Sequence, residues 1–387
     1  MAKIGFCIYN TSMAGYTINR QLKYFQPHNN VFIFHINELT KDRSNKDLCF
    51  DTQVNSFDLS FTSTRSIIDL IKSLEIDIFV FYTFQSQLDK LVWEICQMLK
   101  IPTILHDHGI VFGDKIAHIS KFRLSYVRIK RKLVFQKKRM SLKKILRNTK
   151  FDARCLNNYA FSHYIIYSNN NYTYYSSFFH LNEKNVTITG IPLFTDLSEI
   201  NSLRQINSEP KILFIYQPLR KFGMSSIDDQ GERDFINSIN DVALSFGLKL
   251  EIRLHPAQCI EDFGTTNWHE NIFFFNSIDL ESQAASASII LGHWSTALSI
   301  SYTLNKPLIV LEFPKVLKEY LPYFTLFKKV GFYCSQIEQM NDTILKMDRN
   351  FNMNNNENWI NLIGDKNTYQ FDVSETIKII DKLLNTD

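Results

Sequence analysis

Short apolar runs alternate with amphipathic stretches along almost the whole chain, and that alternation restricts the fold more than any other feature. The first series reads as strand 3–9, a helix through Arg20–Phe25, strand Val31–Ile36, helix 64–74, strand Ile76–Tyr82, helix 86–99 and strand Ile101–Leu105. It resumes with helix 152–160, strand 163–168, a helix near 171–179 and strand 186–189. The second series reads as strand Lys211–Tyr216, helix 232–246, strand 248–254, strand 272–275, helix 279–286, strand Ser288–Leu291, helix 296–304 and strand Pro307–Leu311. A terminal helix follows at Ser374–Leu384. Buried-strand runs of this length between helices point to βαβ units and parallel sheets. A length of 387 residues suits two domains. Residues 195–209 are polar and lack a strand pattern, so they are read as the linker between domains 1–195 and 210–387. The Asn-rich stretch 349–358 reads as a surface loop. The expected architecture is α/β, with two Rossmann-like domains facing across a cleft and functional residues just beyond the carboxyl ends of the strands.

Composition removes several classes. Hydrophobic residues at 45% and charged residues at 21% suit a globular chain. No apolar run approaches the roughly 20 residues needed to cross a bilayer, and Met1–Asn10 reads as a first strand rather than a secretory signal. Cys7, Cys49, Cys96, Cys155, Cys259 and Cys334 form no CxxC pair, so reduced thiols in a cytoplasmic protein are expected, with neither a disulfide framework nor a metal site. The triplet Asn171-Tyr172-Thr173 is read as chance rather than a glycosylation site.

Charge is concentrated in one place. Between Lys121 and Lys150 stand 13 Lys or Arg and no Asp or Glu, interleaved with apolar residues such as Phe122, Leu133, Phe135 and Ile145. One or two basic amphipathic helices fit this insert, 121–150, and an anionic membrane surface is the favoured partner. Lys130, Arg131, Lys132, Lys137, Lys138 and Arg139 are its densest part. A solvated insertion packed on its own domain is the plain alternative. No aromatic-rich RNA signature or zinc finger accompanies the run, so nucleic acid is not expected as a partner.

Three clusters fall at strand ends. His106-Asp107-His108-Gly109 places two imidazoles and a carboxylate beside a glycine turn; Asp107 and His108 are both chemically able to serve as a general base. In Arg253-Leu254-His255-Pro256 the proline stops the strand and His255 can donate to a phosphate oxygen, or else meet a backbone carbonyl. In Trp294-Ser295-Thr296 the hydroxyls open a helix, where they either cap it or help it hold an anion.

An acidic residue-x-Gly motif, then His-Pro, then a Ser/Thr pair opening a helix resembles the bacterial GT-B sialyltransferases and polysialyltransferases, and Gln217-Pro218-Leu219 is similar to those enzymes too. The resemblance implies a GT-B-like fold and an inverting transfer of an acidic sugar (sialic acid, a related nonulosonic acid or Kdo) from a CMP-sugar to a hydroxyl of a bacterial surface glycan. It implies Asp107 as the base. The first domain is expected to carry the acceptor, with His106, Gly109 and the loop Asn10-Thr11-Ser12 after the opening strand on that side. Around the nucleotide it implies Gln217, Pro218, Arg253, His255, Pro256, Ser295 and Thr296, with Asp279 or Glu281 on the ribose. The CMP-sugar is a substrate, and no cofactor is implied. The partners implied are this donor, a glycan or glycolipid acceptor, and the inner face of the plasma membrane. His108 departs from the pattern: Asp-His-Gly followed by His-Pro also resembles the CDP-glycerol glycerophosphotransferases, in which that histidine is the base. A polyol-phosphate transferase, another GT-B transferase with a UDP or GDP donor, and a sugar-nucleotide epimerase remain the alternatives.

Overall fold

The computed structural model describes residues 1–8, 22, 25, 27, 29–35, 54–59, 62–82, 84, 86–107, 159–177, 179–190, 197–255, 258, 260–263, 268–275, 280–350, 357–363 and 373–385. They fall into two compact units, each with its own parallel sheet.

The first unit holds β1 (Ala2–Ile8), β2 (Asn29–His35), β3 (Asn55–Asp58), α1 (Thr64–Leu74), β4 (Ile78–Tyr82), α2 (Gln87–Leu99), β5 (Thr103–His106), β6 (His163–Ile166), α3 (Asn169–Ser176) and β7 (Val186–Ile188). Its seven strands lie in the order β3-β2-β1-β4-β5-β6-β7, all parallel. A parallel sheet needs both faces covered, and β4 explains how: all five of its residues are buried. Alternation sends Phe79 and Phe81 into one apolar cluster and Ile78, Val80 and Tyr82 into the other. Gly5 pairs with Phe79 across β1 and β4, and a Cβ at that position would stand 2.7 Å from the Phe79 ring. Helix α2 starts on a capping box: the Ser86 N–H donates to the buried Asp89 carboxylate at 2.7 Å, and the Asp89 N–H donates to Ser86 Oγ at 3.1 Å.

The second unit, Asp196–Gln370, holds α4 (Leu197–Arg204), β8 (Glu209–Ile215), α5 (Asp229–Ser245), β9 (Lys249–Arg253), β10 (Ile272–Phe275), α6 (Leu280–Ser286), β11 (Ala287–Gly292), α7 (Ser299–Leu304), β12 (Leu308–Leu311), α8 (Leu321–Phe327), β13 (Phe332–Cys334), α9 (Gln339–Asn350) and α10 (Glu357–Ile363). The six strands are parallel in the order β10-β9-β8-β11-β12-β13. This is the doubly wound order, with its reversal of direction between β8 and β11.

Four expectations change. The stretch read as a linker carries α4, a Ser/Asn-bearing helix with weak apolar patterning; its Arg204 guanidinium donates to the Thr303 carbonyl at 2.9 and 2.7 Å. The terminal helix Val373–Leu384 belongs to the first unit, not to a domain 210–387, because Ile379 and Ile380 join Ile4, Phe6 and Ile33 in one apolar cluster. Within the stretch read as an Asn-rich loop, Arg349 and Asn350 are helical in α9, and Glu357 and Asn358 in α10. Helix 296–304 divides into a 3-10 turn, Thr296–Leu298, and α7. Of the cysteines, Cys7, Cys96 and Cys334 are buried free thiols.

Candidate functional site

In the second sheet Ile215 pairs with Arg253 on one side and with Gly292 on the other. Neighbouring strands are about 4.8 Å apart, so Arg253 and Gly292 flank Ile215 across roughly 10 Å. The segments that leave β8, β9 and β11 therefore start level with one another, at the point where strand order reverses. Gln217, Pro218, His255, Ser295 and Thr296 share this carboxyl edge.

The segment after β8 is held by a buried carboxylate. Glu232, on α5, accepts from the Tyr216 hydroxyl and from Arg220 Nε at 2.6 Å; Arg220 also meets Asp229 at 2.5 Å. Burial, then the Glu232 charge, pushes the Tyr216 phenol up. The Tyr216 N–H donates to the Arg253 carbonyl at 3.0 Å, and the carbonyls of Gln217 and Pro218 accept from Leu219 and Phe222 at 2.8 and 3.0 Å. Gln217 and Pro218 thus form the frame of a pinned turn.

His255 lies one strand away, half-buried, with the Phe222 ring edge-on at 5.5 Å. Gln258 closes the turn: its N–H donates to the His255 carbonyl at 2.8 Å, and its Oε1 accepts from the His255 N–H at 3.3 Å. Burial, then the positive charge of Lys221, pushes the imidazole down to about 4. At neutral pH the ring is uncharged and offers one N–H to an acceptor, and a nearby phosphate would favour its protonation. Arg253 Nη1 donates to Gln283 Oε1 on α6 at 2.6 Å. Glu281 is buried in the first turn of that helix.

Ser295 caps the 3-10 turn. Its Oγ accepts from the Ala297 N–H at 3.2 Å and its carbonyl from the Leu298 N–H at 3.0 Å, so part of the amide end is already bonded within the turn. Trp294 is fixed by stacking on Tyr323 at 5.2 Å and by the edge of Phe324 at 4.4 Å. His293, which the sequence did not single out, donates from Nδ1 to the Leu311 carbonyl at 2.7 Å, while Nε2 is buried without a partner among the described residues. Burial among Phe214, Tyr216, Phe235 and Phe313 pushes this ring down to about 4. Tyr216, Arg220 and Glu232 were missed as well; their only signal was a carboxylate one helical turn inside α5.

The first sheet presents a second group at its carboxyl edge. Tyr82, His106 and Ile165 are neighbours in register on β4, β5 and β6. The His106 ring lies 4.7 Å from Tyr82, tilted by 32°, and meets Tyr167 edge-on at 5.6 Å. Its Nδ1 bonds to the Asp107 carbonyl at 2.8 Å, and burial pushes the imidazole down to about 4. Asp107 is fully buried. Its N–H donates to the Ile165 carbonyl at 2.8 Å, and its carboxylate accepts from the Tyr167 N–H at 3.3 Å, the Tyr175 hydroxyl at 3.2 Å and the Asn171 side-chain amide. Burial first, then the Asp107 charge, pushes the Tyr175 phenol up. Asn171 and Tyr175 therefore turn α3 into a clamp on this carboxylate, a role invisible in the Asn-Tyr-Thr triplet.

Asn10, Thr11, Ser12, His108, Gly109, Pro256 and Asp279 lie outside the described residues, as do Lys130, Arg131, Lys132, Lys137, Lys138 and Arg139. Among the described residues no helix is long and apolar enough to cross a membrane.

No protein-family model matches the chain, and no curated protein matches it in sequence. Solved structures do match it along its whole length. The S. aureus MnaA–UDP co-structure aligns with a TM-score of 0.58 at 10% identity, covering 100% of this chain and 98% of that one. A Listeria monocytogenes protein described as a UDP-N-acetylglucosamine 2-epimerase gives 0.59 at 10%, covering 100% and 97%. A spinosyn rhamnosyltransferase gives 0.57 at 9%, covering 98% and 100%. The fold is α/β of the GT-B glycosyltransferase type, the class expected from the motif order.

Proposed function

We propose that the protein is an inverting glycosyltransferase that binds the phosphate of a nucleotide-activated sugar at the carboxyl edge of its second sheet. The observation that carries this reading is the register of β9, β8 and β11, which brings His255, the Gln217–Pro218 turn and Ser295–Thr296 to one level. As the anomeric carbon–oxygen bond breaks, negative charge grows on the leaving phosphate. The half-buried His255 imidazole and the Ser295 hydroxyl are preoriented donors for that charge, and removing such a donor costs on the order of 10²–10³ in turnover. The acceptor's proton passes to the His106–Gly109 segment. The finer reading is a CMP-activated acidic sugar, supported by the Asp-x-Gly, His-Pro and Ser-Thr motif order. The basic insert is proposed to hold the enzyme on the anionic inner leaflet, where a glycolipid acceptor resides.

A second reading takes a nucleoside diphosphate sugar, including donor-only epimerisation; the UDP co-structure among the similar structures favours it. A thermal-shift panel of CMP, CDP, UDP and GDP separates the two. Selective stabilisation by CMP supports the first and by UDP the second, because a ligand bound to the native state raises its apparent stability. Conversion of a UDP-sugar without any acceptor identifies an epimerase. No stabilisation by any of the four nucleotides overturns both.

A further inference from the structure

We infer that His106 takes the proton of the incoming hydroxyl and that Asp107 is the positioning residue that sets its tautomer; the assignment rests on the transferase reading above. Asp107 is poorly placed to be the base itself. It has no exposed surface, and its carboxylate is bonded by the Tyr167 N–H, the Asn171 amide and the Tyr175 hydroxyl. Taking up a proton from substrate would weaken these bonds and loosen its hold on α3.

The same bonds make Asp107 a rigid support for its neighbour. Its N–H is tied to β6 through the Ile165 carbonyl and its side chain to α3, so its own carbonyl is fixed in space. That carbonyl sits 2.8 Å from His106 Nδ1, and the Tyr167 hydroxyl stands 3.5 Å from the same nitrogen, where it accepts at longer range. A carbonyl oxygen can only accept, so Nδ1 carries the hydrogen and, in the neutral ring, Nε2 carries the lone pair. No described residue bonds Nε2. Ring rotation is restrained by Tyr82 against one face at 4.7 Å and by Tyr167 at the edge. The electron-rich face of Tyr82 also suits the imidazolium that forms when Nε2 is protonated. Burial keeps the ring neutral at pH 7, so the proton-accepting form is the resident one. The position, on the last residue of β5, is the strand end at which ligands bind in sheets of this type.

In the proposed step, Nε2 removes the hydroxyl proton as an oxygen lone pair of the acceptor forms the new bond to the anomeric carbon. The bond from that carbon to the phosphate oxygen breaks, and its electron pair leaves on the nucleotide phosphate. The imidazolium then returns its proton to solvent. Sugar, nucleotide and one proton account for every atom.

The test joins spectroscopy to kinetics on the full-length protein. Long-range ¹H–¹⁵N correlation at pH 7, with His106 assigned by its loss in His106→Gln, is expected to find Nδ1 protonated and Nε2 bare; Asp107→Asn should shift that signature. With CMP-sialic acid as the probe donor and CMP release as the readout, His106→Gln should lower kcat by roughly 10²–10⁴. It should also abolish the acidic limb of the pH–rate profile and leave the Kd for CMP within twofold. A bare Nδ1 in the native protein overturns the assignment whatever the kinetics. Wild-type turnover by His106→Gln, or an acidic limb abolished by His108→Gln instead, overturns it while the transferase reading stands. A native protein that neither binds CMP nor releases it from the donor removes that reading and this role together.

Discussion

Replacing Gly292 by Ala introduces a methyl group where the fold has no room for one. The Cβ would stand 2.4 Å from Leu298 Cδ2 and 3.1 Å from Cδ1. Carbon atoms pack at about 3.5–4.0 Å, so roughly 1 Å of movement must come from the end of β11 or from Leu298. Leu298 is fully buried and belongs to the 3-10 turn that Ser295 opens, so the strain passes straight into the proposed phosphate site. Overpacking of this kind costs about 1–3 kcal/mol. In a unit of this size each kcal/mol lowers Tm by roughly 2–4 °C, so a fall of about 2–12 °C is expected. Leu298→Ala alone leaves a cavity and costs about 2–5 kcal/mol. In the double variant the new methyl occupies part of the vacated space, and the pair should recover about 1–2 kcal/mol relative to the sum of the single changes. Urea denaturation of the four proteins measures the cycle, and CMP titration of the same set should show Gly292→Ala binding more weakly than wild type. A Gly292→Ala protein as stable as wild type, or strictly additive losses, would refute the argument that this contact is what requires glycine.

Three more outcomes are expected. Glu232→Ala leaves the buried Tyr216 hydroxyl without its acceptor and Arg220 with Asp229 alone, so chemical denaturation should reveal a loss of about 1–3 kcal/mol; an unchanged midpoint would contradict a structural role for the network. His106, His255 and His293 are each pushed from 6.5 down to about 4 by burial, so between those values the unfolded chain binds more protons than the folded one. Stability should be complete above pH 6.5 and fall toward pH 4 by up to about 1.4 kcal/mol per pH unit for each histidine, and a flat Tm profile from pH 7.5 to 5 would contradict it. Neutralising Lys130, Arg131, Lys132, Lys137, Lys138 and Arg139 should release the protein from anionic vesicles in a sedimentation assay; unchanged binding would remove the membrane proposal and leave the transfer chemistry standing.

The parallel sheets were legible because their strands are buried on both faces and so read as unbroken apolar runs, as in Ile78–Tyr82 and Leu308–Leu311. β3 escaped notice because Asn-Ser-Phe-Asp at a sheet edge has no such run, and β13 because it is only three residues long. α4 depends on a tertiary anchor, Arg204 on Thr303, that no local pattern encodes. The described strand-end motifs do lie at the carboxyl edges of the two sheets, since a turn after a parallel strand must emerge there. They did not distinguish an exposed carboxylate from a clamped one: Asp107 beside His106 reads as a base until Asn171 and Tyr175 are seen to enclose it. The buried histidine at 293 is equally silent in sequence, because only the packed cage of Phe214, Phe235 and Phe313 defines it.

Calorimetric titration of CMP into the full-length protein, its His255→Ala variant and its Ser295→Ala variant tests the central claim most directly. Hydrogen bonds to a charged group contribute about 1.5–3 kcal/mol, so the account predicts saturable binding to the native protein, weakened roughly 10- to 150-fold by each substitution. Undiminished CMP affinity in both variants, or no CMP binding by the native protein, would contradict it.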